Sequence, residues 1–192
     1  MSLHGKSSKE NQPTKPQGFT LWFTGWSGAG KTSLALALEK ELLARGLPYV
    51  QRLDGDIVRE SLTRDLGFSR EDRDENIRRI TFVAQMLSSN GVGVLVSFIS
   101  PYREMRSYAR ERCTNFIEIF VDCPREVLIQ RDVKGLYKKA LAGEIPNFTG
   151  ISDPYEPPED PEIIVNSGTQ TLEESLGHIL TYLEEQGFMP ST

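Results

Sequence analysis

Short apolar runs and longer amphipathic segments alternate along this chain. Five runs predict β-strands, namely FTLWFT, YVQRLD, VGVLVSF, FIEIFVD and EIIVN. Between them, apolar residues recur at helical spacing, which predicts helices over residues 31–46, 72–90, 102–112 and 124–131 and from residue 171 onward. Because strands separated by helices favour a parallel sheet covered on both faces, we expect an α/β fold, a three-layer sandwich with a parallel five-stranded sheet.

Polar residues and glycines predict where several of these helices begin and end. Gly46 follows the first helical segment and is a typical helix stop. Thr171 forms the capping-box pattern with Glu174 and predicts the start of the last helix. Ser100 followed by Pro101 predicts an N-cap and a first helical residue after the third strand.

Composition divides the chain into a polar tail and one domain. Residues 1–18 are rich in Ser, Lys and Pro, so we expect a disordered tail before a single domain over residues 19–192. Residues 131–162 mix basic, aromatic, glycine and proline residues, which favours a mobile lid over an ordinary polar connection. Closure of such a lid would exclude water from a phosphate site.

The charge and the cysteine content exclude several classes of protein. The chain has 192 residues, a net charge of −5 and a sequence pI near 5.2, which argues against general nucleic-acid binding. Cys113 and Cys123 have no metal-ligand spacing, so we expect packed thiols rather than a disulfide scaffold or a zinc site. No run approaches the ~20 apolar residues that span a bilayer, and we expect a cytoplasmic protein without membrane association.

The loop after the first predicted strand carries the strongest chemical signal. Residues 25–32 read GWSGAGKT, a complete match to G-x-x-x-x-G-K-[ST]. Its glycines let successive N–H groups point at phosphate oxygens, while Lys31 reaches the β- and γ-phosphates and Thr32 offers its hydroxyl to Mg²⁺. A fortuitous glycine-rich turn is disfavoured because the motif follows a strand and opens a helix. The expected ATP contacts here are Gly25, Ser27, Gly28, Ala29, Gly30, Lys31, Thr32 and Ser33.

Two carboxylates follow the second predicted strand in the sequence LDGD. Asp54 and Asp56 lie where a kinase needs a base or a metal-linked carboxylate, although an Asp-Gly turn capping the next helix is the alternative. Beside a P-loop we favour the chemical role, chiefly for Asp56. The third strand carries no acidic residue, and no guanine-reading NKxD occurs, which weakens a GTPase interpretation.

Residues 59–79 contain six arginines among an equal number of acidic residues. A solvated helix face with ion pairs four residues apart explains about half of them. The planar guanidinium group suits bidentate capture of phosphate or sulfate better than an ammonium group does. The segment therefore indicates an anionic second substrate.

These segments together resemble the adenylylsulfate kinase (APS kinase) family. The matching runs are LWFTGWSGAGKT, LDGDIVR, RDLGFSREDRDENIRR, SFISPYR and RDVKGLYKKALAGEIPNFTGISDPYE, which cover nearly all of residues 19–165. The resemblance implies a P-loop nucleotide-kinase fold, Mg²⁺ as cofactor, commonly a homodimer, and phosphoryl transfer from ATP to the ribose 3′-hydroxyl of adenylylsulfate (APS). One departure is Ile57, which stands where the family generally has Asn.

The resemblance also implies roles for individual residues. Asp56 corresponds to the acidic residue that orients or deprotonates the 3′-hydroxyl, and with Thr32 it is expected at Mg²⁺. Lys31 and Ser100 complete the expected catalytic set; we favour a positioning role for Ser100, because direct in-line transfer needs no phosphorylated intermediate. The other expected APS contacts are Asp54, Arg59, Phe68, Arg73, Asn76, Ile99, Pro101, Lys134, Asn147 and Phe148. The expected contacts to the adenine of ATP are Arg131, Gly168 and Thr169.

Three alternatives remain beside this interpretation. The nearest is a P-loop kinase for a sugar acid or a nucleoside monophosphate. The others are a catalytically silent nucleotide-binding module and the kinase half of a bifunctional sulfurylase–kinase. The presence of Lys31, Thr32 and Asp56 argues against a silent module.

Overall fold

The computed structural model describes residues 17–189. The predicted disordered tail, residues 1–18, therefore lies outside the described residues except for its last two. The carbonyl of Gly18 accepts a hydrogen bond of 2.7 Å from the side-chain amide of Asn115, so the described chain is anchored one residue before the first strand.

Twelve helices and strands make up the described part of the chain. The strands are β1 (Phe19–Thr24), β2 (Val50–Asp54), β3 (Gly93–Ser97), β4 (Phe116–Asp122) and β5 (Ile163–Asn166). The helices are α1 (Lys31–Ala44), α2 (Gly55–Glu60), α3 (Arg70–Ser88), α4 (Arg103–Arg110), α5 (Arg125–Arg131), α6 (Leu136–Leu141) and α7 (Leu172–Glu185).

The five strands form one parallel sheet in the order β2-β3-β1-β4-β5. At the centre, Leu21 of β1 lies level with Leu95 of β3 and Ile117 of β4. The loops after β1, β2 and β3 consequently open at the same edge of the sheet, because the carboxyl ends of parallel strands lie together. The predicted parallel five-stranded sheet is confirmed.

Two separate apolar cores cover the two faces of this sheet. Leu21 and Phe23 point to one face, where they join a core that includes Leu38 of α1. Trp22 points to the other face and joins a core that includes Ile80 of α3 and Met105 of α4. Alternate residues of β1 therefore pack against helices on opposite sides, which confirms the three-layer sandwich.

Two short helices were not predicted, and both follow sites of predicted chemistry. Helix α2 begins directly after Asp54, whose side chain accepts a hydrogen bond from the backbone N–H of Asp56 at 3.1 Å. Helix α6 lies inside the predicted lid segment and begins after Gly135, which has a positive φ of 65°. Each has six residues, too short for a clear apolar periodicity.

The predicted N-cap of α4 is wrong. Ser100 has a positive φ of 40° and lies before the helix, whose N-cap is Tyr102. The side chain of Ser100 is buried and accepts a hydrogen bond of 3.0 Å from the indole N–H of Trp22. The first N–H of the helix, that of Arg103, instead donates to the carboxylate of Glu156 at 2.8 Å. A distant acidic residue thus takes the capping role predicted for the local serine.

Both cysteines are free thiols and both are buried. Burial raises the pKa of Cys113 to about 11, which keeps this thiol protonated and unreactive at neutral pH.

No helix within residues 17–189 is long and apolar enough to cross a membrane.

Candidate active site

The P-loop has the backbone shape that its sequence predicts. Gly25, Gly28 and Gly30 have positive φ angles of 145°, 77° and 99°. A Cβ atom on Gly25 would lie 2.4 Å from the carbonyl oxygen of Val121 in β4, so a side chain is excluded there. Helix α1 begins at Lys31 and directs its N-terminal N–H groups toward the loop, an arrangement that favours a bound phosphate.

Lys31 is buried inside the P-loop. Its ammonium group donates to the carbonyls of Gly25 and Trp26 at 2.8 and 2.7 Å. Burial, together with the positive charge of Lys134, lowers the pKa of Lys31 to about 7. The lysine is therefore poised to gain a full charge when an anion binds beside it.

The side chains of Thr32 and Asp54 are in direct contact. The hydroxyl of Thr32 donates to a carboxylate oxygen of Asp54 at 2.7 Å, and Asp54 is buried. Hydroxyl and carboxylate oxygens are the ligands that Mg²⁺ prefers, and this cation usually completes its shell with water and substrate phosphates. No group of three or more His, Cys, Asp or Glu side chains suited to a metal ion lies within residues 17–189.

Asp56, predicted from the sequence at Mg²⁺, has a different contact from Asp54. Its side chain is 76% exposed, and one oxygen accepts a hydrogen bond of 2.6 Å from the ammonium group of Lys134. The structure therefore brings the predicted base together with a predicted substrate contact from a segment far along the chain. The Thr32 contact belongs to Asp54, a candidate carboxylate that the family resemblance assigned to the substrate.

An aromatic ring flanked by arginines lies at the start of α3. Phe68 is 57% exposed, and the guanidinium carbons of Arg59 and Arg73 lie 4.4 and 5.7 Å from its ring centroid. Arg73 donates to the carbonyl of Phe68 at 3.0 Å and to that of Asn147 at 2.6 Å. Burial lowers the pKa of Arg73, which nevertheless stays charged at neutral pH. Four predicted APS residues in two distant segments are thus brought together, with Phe148 following Asn147.

Two further predicted APS residues are buried. Phe148 packs edge-on against Tyr137 with ring centroids 5.1 Å apart. Asn76 is buried on α3, and its side-chain oxygen has no hydrogen-bond partner among the described residues. An unpaired buried amide oxygen is costly, so a donor from a ligand would stabilise it.

The loop after β3 holds Ile99, Ser100 and Pro101, and each of its carbonyls has a partner. That of Ile99 accepts from the hydroxyl of Thr24 at 2.7 Å. The carbonyl of Ser100 accepts from the guanidinium of Arg106 at 2.6 Å. Pro101 accepts from the backbone N–H at position 156 at 2.8 Å. This loop is therefore held in one conformation by β1, α4 and the predicted lid.

The residues predicted at the adenine of ATP also lie near one another. Arg131, at the end of α5, donates to the carbonyl of Ser167 at 3.1 Å. The next residue, Gly168, donates its N–H to the side-chain oxygen of Asn166 at 3.0 Å, and Thr169 follows it. This cluster lies at the ends of α5 and β5.

Several contacting residues were missed by the sequence analysis. The hydroxyl of Tyr137 donates to the carbonyl of Ser27 in the P-loop at 2.9 Å. The hydroxyl of Tyr155 lies 3.0 Å from that of Thr24, the residue directly before the P-loop. These partners are 110 and 131 residues apart, so no local pattern could have found them.

The whole chain was compared with known proteins. The family model for adenylylsulphate kinase matches residues 17–166. This chain belongs to the adenylylsulfate kinase family. A probable adenylyl-sulfate kinase from Pseudomonas aeruginosa is 66% identical over 163 residues, which is 85% of this chain and 76% of that protein. An adenylyl-sulfate kinase from Halothermothrix orenii is 59% identical over 90% of this chain and 93% of its own length.

A solved structure supports the same family assignment. The Mycobacterium tuberculosis APS kinase CysC in complex with AMPPNP and APS is 44% identical to this chain, with a TM-score of 0.84. The similarity covers 88% of this chain and 99% of that one. The family resemblance and the nucleotide-kinase fold inferred from the motifs are confirmed.

Proposed function

We propose that this chain transfers the γ-phosphoryl group of ATP to the ribose 3′-hydroxyl of APS, giving 3′-phosphoadenylylsulfate (PAPS) and ADP. The observation that carries the proposal is the position of the LDGD segment between two sites. Asp54 contacts Thr32 of the P-loop, and Asp56, two residues later, contacts Lys134. The phosphoryl donor and the acceptor hydroxyl would meet at this segment.

On the donor side, the P-loop amides and Lys31 bind the phosphates of ATP. Lys31 exchanges its two carbonyl partners, Gly25 and Trp26, for phosphate oxygens when the nucleotide enters. The charge thereby regained neutralises the negative charge that develops on the transferring group. Arg131 and the Gly168–Thr169 turn border the adenine.

The hydroxyl of Thr32 and the carboxylate of Asp54 would hold Mg²⁺, since both are oxygen ligands of the kind that this cation prefers. The cation would supply positive charge against the phosphate oxygens of ATP. Asp54 also caps α2, so the same carboxylate positions the backbone of Asp56.

On the acceptor side, Asp56 orients the 3′-hydroxyl and accepts its proton. Lys134 must release the carboxylate or share it with the incoming hydroxyl, and its ammonium group is then free to contact the substrate. Arg59 and Arg73 supply the positive charge for the phosphosulfate, and the Phe68 and Phe148 rings stack with adenine. Asn76 offers its unpaired oxygen to a substrate donor.

Transfer proceeds in line, without a phosphoserine. The hydroxyl of Ser100 is buried and accepts a hydrogen bond from Trp22, which supports a positioning role for this residue. Ile99 and Pro101 line the APS pocket beside it. The protein's contribution is then to align two nucleotides and to neutralise charge.

Incubation of the purified chain with ATP, Mg²⁺ and APS tests the function directly. We expect equimolar ADP and PAPS by anion-exchange chromatography, and far slower ADP release with AMP, gluconate or shikimate as acceptor. Phosphorylation of one of these acceptors at a higher kcat/KM than that of APS would contradict the proposal.

We also propose that the chain is a cytoplasmic homodimer and that residues 131–162 close over the bound nucleotides. Phe82 and Met86, four residues apart on α3, are both largely exposed and form an apolar strip that a second copy would cover. Light scattering coupled to size exclusion tests the dimer, since a monomer mass would contradict it.

The lid is attached to the sheet side of the site at one end. The hydroxyl of Tyr155 is hydrogen-bonded to that of Thr24 in β1, and the N–H of the next residue donates to the carbonyl of Pro101, so these two residues form the fixed end of the lid.

A further inference from the structure

A buried arginine lies directly behind the loop after β3. Arg106 on α4 is only 3% exposed, and its guanidinium group makes three short hydrogen bonds. It donates to the carboxylate of Glu118 at 2.6 Å, to the carbonyl of Ser100 at 2.6 Å and to that of Glu156 at 2.7 Å. Three acceptors from three separate segments thus share one planar group.

The backbone at Ser100 needs such an anchor. Its φ of 40° is unfavourable for a residue with a Cβ atom, and such a conformation persists only where the surroundings hold it. Trp22 holds its side chain from the sheet, and Arg106 holds its carbonyl from the helix. The two contacts together determine the orientation of the peptide that joins Ser100 to Pro101.

Arg106 also connects this loop to the predicted lid. It binds the carbonyl of Glu156, while the N–H of the same residue donates to the carbonyl of Pro101 at 2.8 Å. The carboxylate of Glu156 accepts from the first N–H of α4. The loop, the helix and the fixed end of the lid are therefore joined through this guanidinium group.

The charge of Arg106 is balanced by Glu118, which is also buried. A buried ion pair contributes little net stability compared with an apolar pair of the same volume, because both groups lose their hydration. The pair is therefore poorly explained by stability alone. The fork-shaped donor set of arginine is what allows two backbone carbonyls and one carboxylate to be held at once.

We infer that Arg106 is a positioning residue for APS: through the carbonyl of Ser100 it sets the loop of residues 99–101 against the substrate. This inference rests on the proposed function, in which Ile99, Ser100 and Pro101 line the APS pocket. Arg106 itself touches neither nucleotide. Its loss would therefore weaken APS binding and alignment while leaving the P-loop site unchanged.

The primary test compares Arg106→Lys with Arg110→Lys. Lysine keeps a positive charge beside Glu118, but a single ammonium cannot hold three acceptors in fork geometry. Arg110 also pairs with Glu118, at 3.3 Å, and otherwise with Glu162, so it is the matched control. For Arg106→Lys we expect kcat/KM for APS to fall ~10- to 100-fold, as for a misaligned substrate, with the Kd for AMP-PNP changed less than ~2-fold. Arg110→Lys should resemble the wild type in both quantities.

A second variant separates positioning from folding. Arg106→Ala leaves a cavity of guanidinium size, and millimolar methylguanidinium should restore a large part of the lost kcat/KM for APS. Arg110→Ala should not respond to methylguanidinium. If Arg106→Ala does not fold, the rescue is measured instead on the double variant Arg106→Ala/Glu118→Gln, which removes the unpaired buried charge.

Three outcomes would overturn the inference. The first is an unchanged kcat/KM for APS in Arg106→Lys. The second is a weakening of AMP-PNP binding in that variant by the same factor as the fall in kcat/KM for APS. The third is a fall in kcat/KM for APS in Arg110→Lys as large as that in Arg106→Lys. Failure of the wild-type protein to phosphorylate APS would instead overturn the proposed function. The two failures are therefore distinguishable in the same set of assays.

Discussion

The two nucleotide sites of this kinase are built in different ways. The P-loop consists of eight consecutive residues, 25–32, whose own backbone angles form the phosphate cradle. The proposed acceptor side combines segments near residues 56–76, 99–101 and 134–148, which are linked by contacts such as those of Arg73 to Asn147 and of Lys134 to Asp56. A contiguous motif can be recognised in isolation, whereas an assembled site depends on how the helices lie on the sheet.

The largest effect is expected at the P-loop itself. Lys31→Ala removes the cation proposed to face the transferring phosphoryl group, and we expect kcat/KM for ATP to fall by at least ~10²-fold. Steady-state kinetics at saturating APS would measure it. Lys40→Ala, an exposed lysine of the same helix, is the control and should keep wild-type rates. A near-normal rate for Lys31→Ala would mean that the backbone amides suffice.

Substitutions of the two carboxylates of LDGD should affect different quantities, kcat for Asp56 and the Mg²⁺ requirement for Asp54. Asp56→Asn removes the proposed proton acceptor, and we expect kcat to fall by at least ~10²-fold with the Mg²⁺ midpoint unchanged. Asp54→Asn should raise the Mg²⁺ concentration needed for half-maximal rate ~10-fold, because its carboxylate contacts Thr32. Mg²⁺ titrations of both variants provide the comparison. If the Mg²⁺ midpoint rose in Asp56→Asn and not in Asp54→Asn, Asp56 would be the metal ligand, as the sequence analysis expected.

Tyr137 contacts both sites through different atoms. Its hydroxyl donates to the P-loop carbonyl of Ser27, and its ring packs on Phe148. Tyr137→Phe keeps the ring, so we expect the Kd for AMP-PNP to rise about 5-fold, about 1 kcal/mol for one hydrogen bond, with the KM for APS unchanged. Calorimetry gives the Kd. A larger change in the KM for APS than in the Kd for AMP-PNP would argue against separate contacts. Tyr182→Phe on α7 is the control.

The smallest effect concerns protons. The pKa of Lys31 is about 7 without nucleotide, so at pH 8 most molecules hold a neutral Lys31. Bound phosphate favours the charged form and raises this pKa, so nucleotide binding should take up roughly one proton at pH 8 and less as the pH falls below 7. Calorimetric titration of AMP-PNP in buffers with different ionisation enthalpies measures the uptake. Equal uptake in Lys31→Ala would assign the proton to another group.

The predictions that failed or were incomplete share a cause. Ser100 has the sequence pattern of an N-cap, but its hydroxyl is paired with Trp22, and Glu156 caps the helix from a distance. Asp54 and Asp56 are indistinguishable as carboxylates in the sequence, and only the geometry of β2 and α2 turns one of them to Thr32. In both cases the local pattern left the hydrogen-bond partner undetermined, and tertiary contacts decided it.

By itself, the sequence determined the parallel sheet, the alternation of its strands with the longer helices, and the P-loop. These features depend on apolar periodicity and on backbone preferences within a few residues, so short stretches of chain carry them. Only the tertiary structure decided which carboxylate contacts Thr32, that Tyr137 reaches Ser27, and that Arg106 holds the loop after β3. The physical reason is that a hydrogen bond requires atoms within about 3 Å of each other, and for partners many residues apart that distance is set by the packing of helices against the sheet.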